Sequence, residues 1–177
     1  MVRIPAPPQL RVSIGITGHR AAHPDWLAKS AEIRAVLAGL FDLVEATLDA
    51  ERERLGAIAP VRLHSLLADG VDQLAAELGT ARGWELISPL PFGRRLNLAI
   101  NAHPASGDDA RALLQGTTPG DPQCQARARA IEDWYARSRL FELADQDEVL
   151  SGQFLATLDN PQDRTTQALF AAGSSVQ

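Results

Sequence analysis

The chain has 177 residues, of which 45% are hydrophobic and 22% are charged, and this composition fits one globular domain with a core of ordinary size. Its 17 basic and 22 acidic residues give a formal net charge of -5, which argues against a nucleic-acid partner because general nucleic-acid binders concentrate basic side chains on one face. Cys124 is the only cysteine and no segment has the apolar length of a membrane span, so we expect a cytoplasmic protein without disulfides or membrane partners.

Strand and helix patterns alternate through the first half of the chain, after an extended leader over residues 1–10. Apolar residues recur at spacings of three and four along a long helix, at Ile33, Leu37, Leu40, Val44 and Leu48. The predicted elements are a strand over 11–16, a helix over 26–55 capped by Asp25, a strand over 61–67, a helix over 71–82 and a strand over 84–90. This alternation predicts a single α/β, Rossmann-like, three-layer domain over 11–177, with a mostly parallel sheet, helices on both faces and its core in 11–92.

The second half of the chain, residues 93–177, is predicted to consist of loops and helices without a further strand. The predicted helices are a short one within 93–122 and longer ones over 123–144, 149–158 and 163–172. The helix over 123–144 would place Ile131, Trp134 and Phe141 on one side. A sheet of only three strands would expose an edge strand, which favours either a homodimer or cover of that edge by the later helices.

The first candidate site is the turn Thr17-Gly18-His19-Arg20, which follows the first predicted strand. Ligands of open parallel sheets bind at the carboxyl ends of the strands. Gly18 lets the backbone approach a ligand closely, and Arg20 offers a fork of donors suited to a phosphate, with His19 as a second donor beside it. The alternative is an ordinary strand-ending turn with a surface arginine.

The second candidate site is the turn Ala68-Asp69-Gly70 with the start of the next helix, including Asp72 and Gln73. Backbone N–H groups and the positive end of the helix dipole favour an anion at such a place. The carboxylates of Asp69 and Asp72 would repel a phosphate, so they either cap the helix or, for Asp72, accept hydrogen bonds from a ribose or base. Both turns follow adjacent strands, and we expect them to lie side by side.

The pattern strand-TGHR, long helix, strand-LADGVDQLAAE, helix, strand-PLPF resembles the superfamily that joins the DNA-processing protein DprA (Smf) with the LOG phosphoribohydrolases, known together as SLOG. Its members are Rossmann-like and bind nucleotides or related ligands through a G-x-R-like turn and an S-G-x-A-x-G-x-D-like turn. Here these match Gly18-His19-Arg20 and residues 65–72, and the resemblance covers 11–92. It implies a nucleotide or NAD-derived small-molecule ligand held through its phosphate, with no other cofactor required.

Two departures from the family pattern limit this expectation. Leu66 stands where the family has a small residue after Ser65. The family's later glycine-rich turn, which with the acidic residue after it completes the phosphate cradle and catalysis, has only a poor match at residues 116–120. We therefore predict no complete catalytic apparatus and assign no catalytic residue. The chain ends about where a further helix and strand are expected, which suggests a truncated product, a fragment or a short form.

Three functions remain open from the sequence. The first is a nucleotide-binding module, by analogy with related folds a sensor. The alternative is a nucleoside 5′-monophosphate phosphoribohydrolase that hydrolyses an N-glycosidic bond. The third is DprA-like binding of single-stranded DNA, which the acidic charge and the lack of a basic-aromatic stripe oppose. The histidines at positions 19, 23, 64 and 103 lack a sequence cluster of three or four ligands, so no metal site is expected.

Overall fold

The computed structural model of the protein describes residues 9–143 and 147–175, so most of the predicted leader lies outside the described part. The described elements, in chain order, are β1 (Ser13–Gly15), α1 (Pro24–Leu55), β2 (Arg62–His64), α2 (Val71–Ala81), β3 (Glu85–Leu90), α3 (Arg94–Asn101), α4 (Gly107–Gln115), α5 (Pro122–Arg137), β4 (Arg139–Glu142), α6 (Asp147–Asp159) and α7 (Arg164–Ser175). None of the helices in these ranges has both the length and the apolar character that crossing a bilayer requires.

The strands form one sheet in the order β1-β2-β3-β4. β1 pairs with β2 in parallel, with Gly15 opposite His64, and β2 pairs with β3 in parallel, with His64 opposite Ile87. Each connection between the first three strands carries a helix, as parallel pairing requires. The predicted α/β, Rossmann-like class with a parallel sheet is confirmed.

The chain divides into two compact units. The first unit comprises residues 1–65 and 70–87, and the second comprises residues 66–69 and 88–177. In the first unit α1 packs on α2. In the second unit α3 packs on α4 and α5, α4 packs on α6, and α6 packs on α7.

The core of the first unit includes a contact between α1 and Trp84, the residue before β3. Phe41 of α1 lies against Trp84, with ring centroids 4.4 Å apart, and both side chains are buried. Burial of two large aromatic rings contributes several kcal/mol, which fixes the register of α1. Of the predicted apolar stripe on α1, Leu37 is buried but Leu40 is 53% exposed. The helix is as predicted, and its contact face is shifted toward Phe41.

The prediction of no strand after β3 is wrong. Helix α5 ends at Arg137 rather than near residue 144, which itself lies outside the described ranges, because Ser138 is extended (φ -113°, ψ 157°). The next four residues form β4, and the Leu143 amide donates to the Leu90 carbonyl oxygen at 3.1 Å. This long-range pairing overrides a helical pattern in the sequence. β3 is therefore not an edge strand, and the argument for dimerisation from an exposed third strand no longer applies.

The segment 93–122 contains two helices instead of the one predicted. Helix α3 is capped by side chains that are distant in sequence: the Gly93 amide donates to Asp147 Oδ2 at 2.8 Å and the Arg94 amide donates to Glu142 Oε2 at 2.7 Å. Two carboxylates thus stabilise the positive end of α3. Because these two carboxylates come from β4 and α6, no local sequence pattern predicts the start of α3.

Helix α4 begins with a local capping motif that anchors the loop before α5. The Ser106 hydroxyl donates to Asp109 Oδ2 at 2.7 Å, while the Asp109 amide donates to Ser106 Oγ at 3.1 Å. Asp109 Oδ1 also accepts the amides of Gly120, at 2.6 Å, and Asp121, at 3.1 Å. The hydrogen bonds from Ser106, Asp121 and Gly120 hold the pKa of the Asp109 carboxyl below its ordinary value, against the opposing effect of burial.

Replacing Asp109 by Ala is expected to lower the free energy of unfolding by about 1–3 kcal/mol at neutral pH, because the part-buried amides of Gly120 and Asp121 lose their acceptor. A lowered folded-state pKa stabilises above the ordinary value and loses that contribution as pH falls through the lowered one. The deficit of the variant should therefore shrink in acid. Urea melts between neutral and acid pH measure both effects.

The matched control is Asp108→Ala, one residue earlier in the same helical turn. The Asp108 side chain is 97% exposed and pairs with Arg111 on the surface of α4. Its loss should change the free energy of unfolding by less than about 1 kcal/mol. Equal destabilisation by the two substitutions would contradict an anchoring role for Asp109.

Candidate functional site

The first predicted turn, residues 17–20, lies beside Gly70 and Val71 at the start of α2, as expected from the parallel pairing of β1 and β2. The Val71 amide donates to the His19 carbonyl oxygen at 3.2 Å. A Cβ on Gly70 would lie 2.5 Å from that oxygen and 2.7 Å from the Ala21 amide nitrogen, and a Cβ on Gly18 would lie 2.6 Å from Val71 Cβ. Both approaches are possible only without a side chain. We call these contacts, of Gly18 with Val71 and of Gly70 with residues 19–21, the glycine junction.

Helix α2 begins at this junction. Its N-cap is Gly70, with φ 95° and ψ -127°, and no side chain caps the helix within the described residues. The positive φ is one that residues with a Cβ rarely adopt, so Gly70 is required by its conformation as well as by its contacts. The junction therefore places the positive end of the α2 dipole next to the turn that carries Arg20.

The predicted ligand-binding residues of the first unit differ in exposure. Residues 17–20 are all exposed. Asp72 is only 6% exposed, and its carbonyl oxygen accepts the Ser65 hydroxyl at 3.4 Å. Gln73 is half-buried. Arg20 is thus exposed at the surface, whereas Asp72 is buried in the first turn of α2.

Ala68 and Asp69, the other predicted site residues, belong to the second unit. Leu67 precedes them, fully buried and with φ 59°, and no sequence signal marks a leucine for the left-handed region. Asp69 Oδ1 is buried without a hydrogen-bond partner in the described part of the chain and lies 3.5 Å from His103 Nε2. His103 also has a positive φ, of 49°. Backbone outliers of this kind concentrate at functional sites.

The poor match to a glycine-rich phosphate turn, residues 116–120, follows a helix. Gly116 closes α4 in the left-handed conformation, and Gly120 binds Asp109 through its amide. The segment therefore connects α4 to α5 and does not follow a strand. Beside it the second unit has a cavity of about 140 Å³, whose lining includes the side chains of Arg95, Thr117 and Arg129. This cavity is a second place where an anion could bind, and any ligand test must separate it from the glycine junction.

One group of side chains in the first unit has the composition of a metal site. His19, His23 and Asp25 each offer a ligand atom, and these atoms lie within 4.8 Å of one another. The two imidazole rings stack, with centroids 3.8 Å apart and planes 4° from parallel. Sequence reasoning treated Asp25 as the cap of α1, which is wrong: His23 is the N-cap, and its Nδ1 accepts the Asp25 amide at 3.2 Å. The Asp25 carboxylate is therefore not engaged in capping.

Comparison of the chain with protein-family models, with curated proteins and with solved structures returned no match.

The glycine junction makes a prediction about stability. Replacing Gly70 by Ala should lower the free energy of unfolding by more than about 2 kcal/mol, because the new Cβ meets the backbone of residues 19–21 and the positive φ is unfavourable for alanine. Chemical denaturation of the purified variant measures the loss.

Gly83→Ala separates the two causes. Gly83 has φ 77° but nothing within 4 Å of its ideal Cβ position, so only the conformational cost of about 1 kcal/mol applies. The same loss in both variants would mean that the close approach at Gly70 contributes nothing.

Proposed function

We propose that the glycine junction binds the phosphate of a nucleotide or a nucleotide-derived ligand. The observation that carries the proposal is the approach of Gly70 to the backbone of residues 19–21, which leaves no room for a side chain. Glycine destabilises a folded chain where its backbone freedom serves no purpose. The close contacts of Gly18 and Gly70 require glycine at both positions of the junction, which favours a binding role there. The ligand would lie over the ends of β1 and β2.

The electrostatics of the junction support an anion. The uncapped start of α2 contributes about 0.3–1 kcal/mol to binding of a negative charge at an exposed site. Arg20 adds a planar cation whose donors match phosphate oxygens. The buried Asp72 opposes an anion, and its location inside the first turn of α2 makes it a partner of the helix dipole as well. The His19 side chain is exposed beside Arg20 and supplies a further donor.

The position in the fold and the sequence motifs support a nucleotide rather than free phosphate. Open α/β sheets bind ligands beyond the carboxyl ends of their strands, where the junction lies. The resemblance of Gly18-His19-Arg20 and of residues 65–72 to the turns of the DprA and LOG superfamily points to the same ligand class. Gln73, half-buried in the first turn of α2, offers an amide that can bind a ribose or base.

A ligand panel with an arginine variant tests this proposal. The purified chain is melted with AMP, ADP-ribose, NAD, cyclic nucleotides or inorganic phosphate, and at least one nucleotide should raise the melting temperature. A ligand at about 100 times its Kd stabilises the native state by about 2.7 kcal/mol. Arg20→Ala should abolish the rise.

Two control variants make the result specific. Arg54→Ala removes one arginine from the other end of α1, about 45 Å along the helix axis, and should leave the rise unchanged. Arg129→Ala removes a cation from the cavity of the second unit. A rise that survives Arg20→Ala but is lost in Arg129→Ala would contradict binding at the junction, as would the absence of any nucleotide-dependent rise.

One observation favours an enzymatic alternative, hydrolysis of the N-glycosidic bond of a nucleoside 5′-monophosphate. Asp69 Oδ1, which has no hydrogen-bond partner among the described residues, lies 3.5 Å from His103 Nε2, and such carboxylate–imidazole pairs serve general acid–base catalysis. Incubation with AMP should then release adenine and ribose 5-phosphate, detected by chromatography. Asp69→Asn should abolish the release while Asp108→Asn preserves it, and a wild-type chain that releases no base would contradict this alternative.

A further inference from the structure

We propose that His19, His23 and Asp25 form a binding site for a divalent transition metal ion such as Zn²⁺. The three residues lie in the turn after β1 and in the first turn of α1, all inside the first unit. Their ligand atoms lie within 4.8 Å of one another. Ligands of a tetrahedral zinc ion are roughly 3.3 Å apart, so rotations of exposed side chains suffice to close the site.

The donor set selects the class of metal. Two imidazole nitrogens with one carboxylate oxygen suit Zn²⁺, Co²⁺, Ni²⁺ or Cu²⁺, whereas Mg²⁺ and Ca²⁺ prefer oxygen ligands alone. Three protein ligands leave the remaining coordination position to water or to an incoming ligand, as in catalytic rather than structural zinc sites. The exposure of His19 and Asp25 gives the ion direct access from solvent.

The state of His23 fits this role. Its Nδ1 accepts the Asp25 amide at 3.2 Å and lies 3.7 Å from Asp25 Oδ2. A nitrogen that accepts a hydrogen bond carries a lone pair, which is also what a metal ion needs. The ion would replace the hydrogen bond from the Asp25 amide to His23 Nδ1. The nearly parallel rings of His19 and His23 would turn so that a nitrogen of each points to the ion.

The negative charge of the Asp25 carboxylate makes it an essential ligand of the proposed metal site. The two imidazoles bind a metal ion as neutral ligands, and the start of α1 places the positive end of a helix dipole nearby. A cation there requires a negative ligand to offset this repulsion, and the Asp25 carboxylate is the acidic group in the first turn of α1. Loss of its charge should therefore weaken binding as much as loss of an imidazole.

Titration with metal alone tests the site independently of nucleotide binding. The chain, free of any histidine tag, is titrated with Zn²⁺ by calorimetry and with Co²⁺ by visible absorption, which reports the coordination of the ion. We expect saturable binding of a single ion. His19→Asn, His23→Asn and Asp25→Asn should each weaken it by about tenfold or more. His23→Asn keeps an N-cap acceptor, so the fold of α1 is retained.

The matched control is His103→Asn. It removes one histidine at a position with φ 49°, a conformation that asparagine tolerates, and should leave the affinity within about twofold. Circular dichroism of every variant confirms that the chain remains folded. Absence of saturable binding, binding by the His19 or His23 variant as tight as that of the unchanged chain, or an equal loss in the His103 variant would each overturn the proposal.

Discussion

The close approach of Gly70 to the backbone of residues 19–21 is the constraint on which the candidate site depends. It fixes where α2 begins, and the hydrogen bond from the Val71 amide to the His19 carbonyl oxygen ties the turn after β1 to that point. Any side chain at Gly70 would separate the turn from the helix. The proposed phosphate site therefore follows from main-chain packing, and Arg20 adds charge to a cradle that the backbone has already formed.

The turn after β1 would support both proposed kinds of binding, because it carries hydrogen-bond donors and candidate metal ligands at neighbouring positions. Arg20 and the start of α2 attract an anion, whereas His19 with His23 and Asp25 provides lone pairs and a negative charge for a cation. His19 belongs to both sets. A metal ion with an open coordination position next to a phosphate-binding turn would let a single ligand contact both the ion and the turn.

The sequence predicted those parts of the fold whose causes are local. The alternation of strands and helices through residue 92, and the adjacency of the turns at Gly18 and Gly70, follow from patterns within a few residues of each element. Helix α3 and strand β4 were not predicted because their contacts join residues that are far apart in the sequence. The Glu142 carboxylate of β4 accepts the Arg94 amide and so caps α3. Asp25, the third residue of the proposed metal site, was overlooked because aspartate before a helix usually serves as its cap.

Nuclear magnetic resonance of the isotopically labelled chain with a nucleotide is the most direct test of the phosphate site. The account predicts that the amide signals of residues 18–20 and 70–73 shift together and saturate, because these residues would border the ligand. Signals of α7, residues 164–175 in the second unit, should stay in place. Saturable shifts confined to other residues, such as those around the cavity beside Arg129, would contradict the account, since the nucleotide would then bind away from the glycine junction.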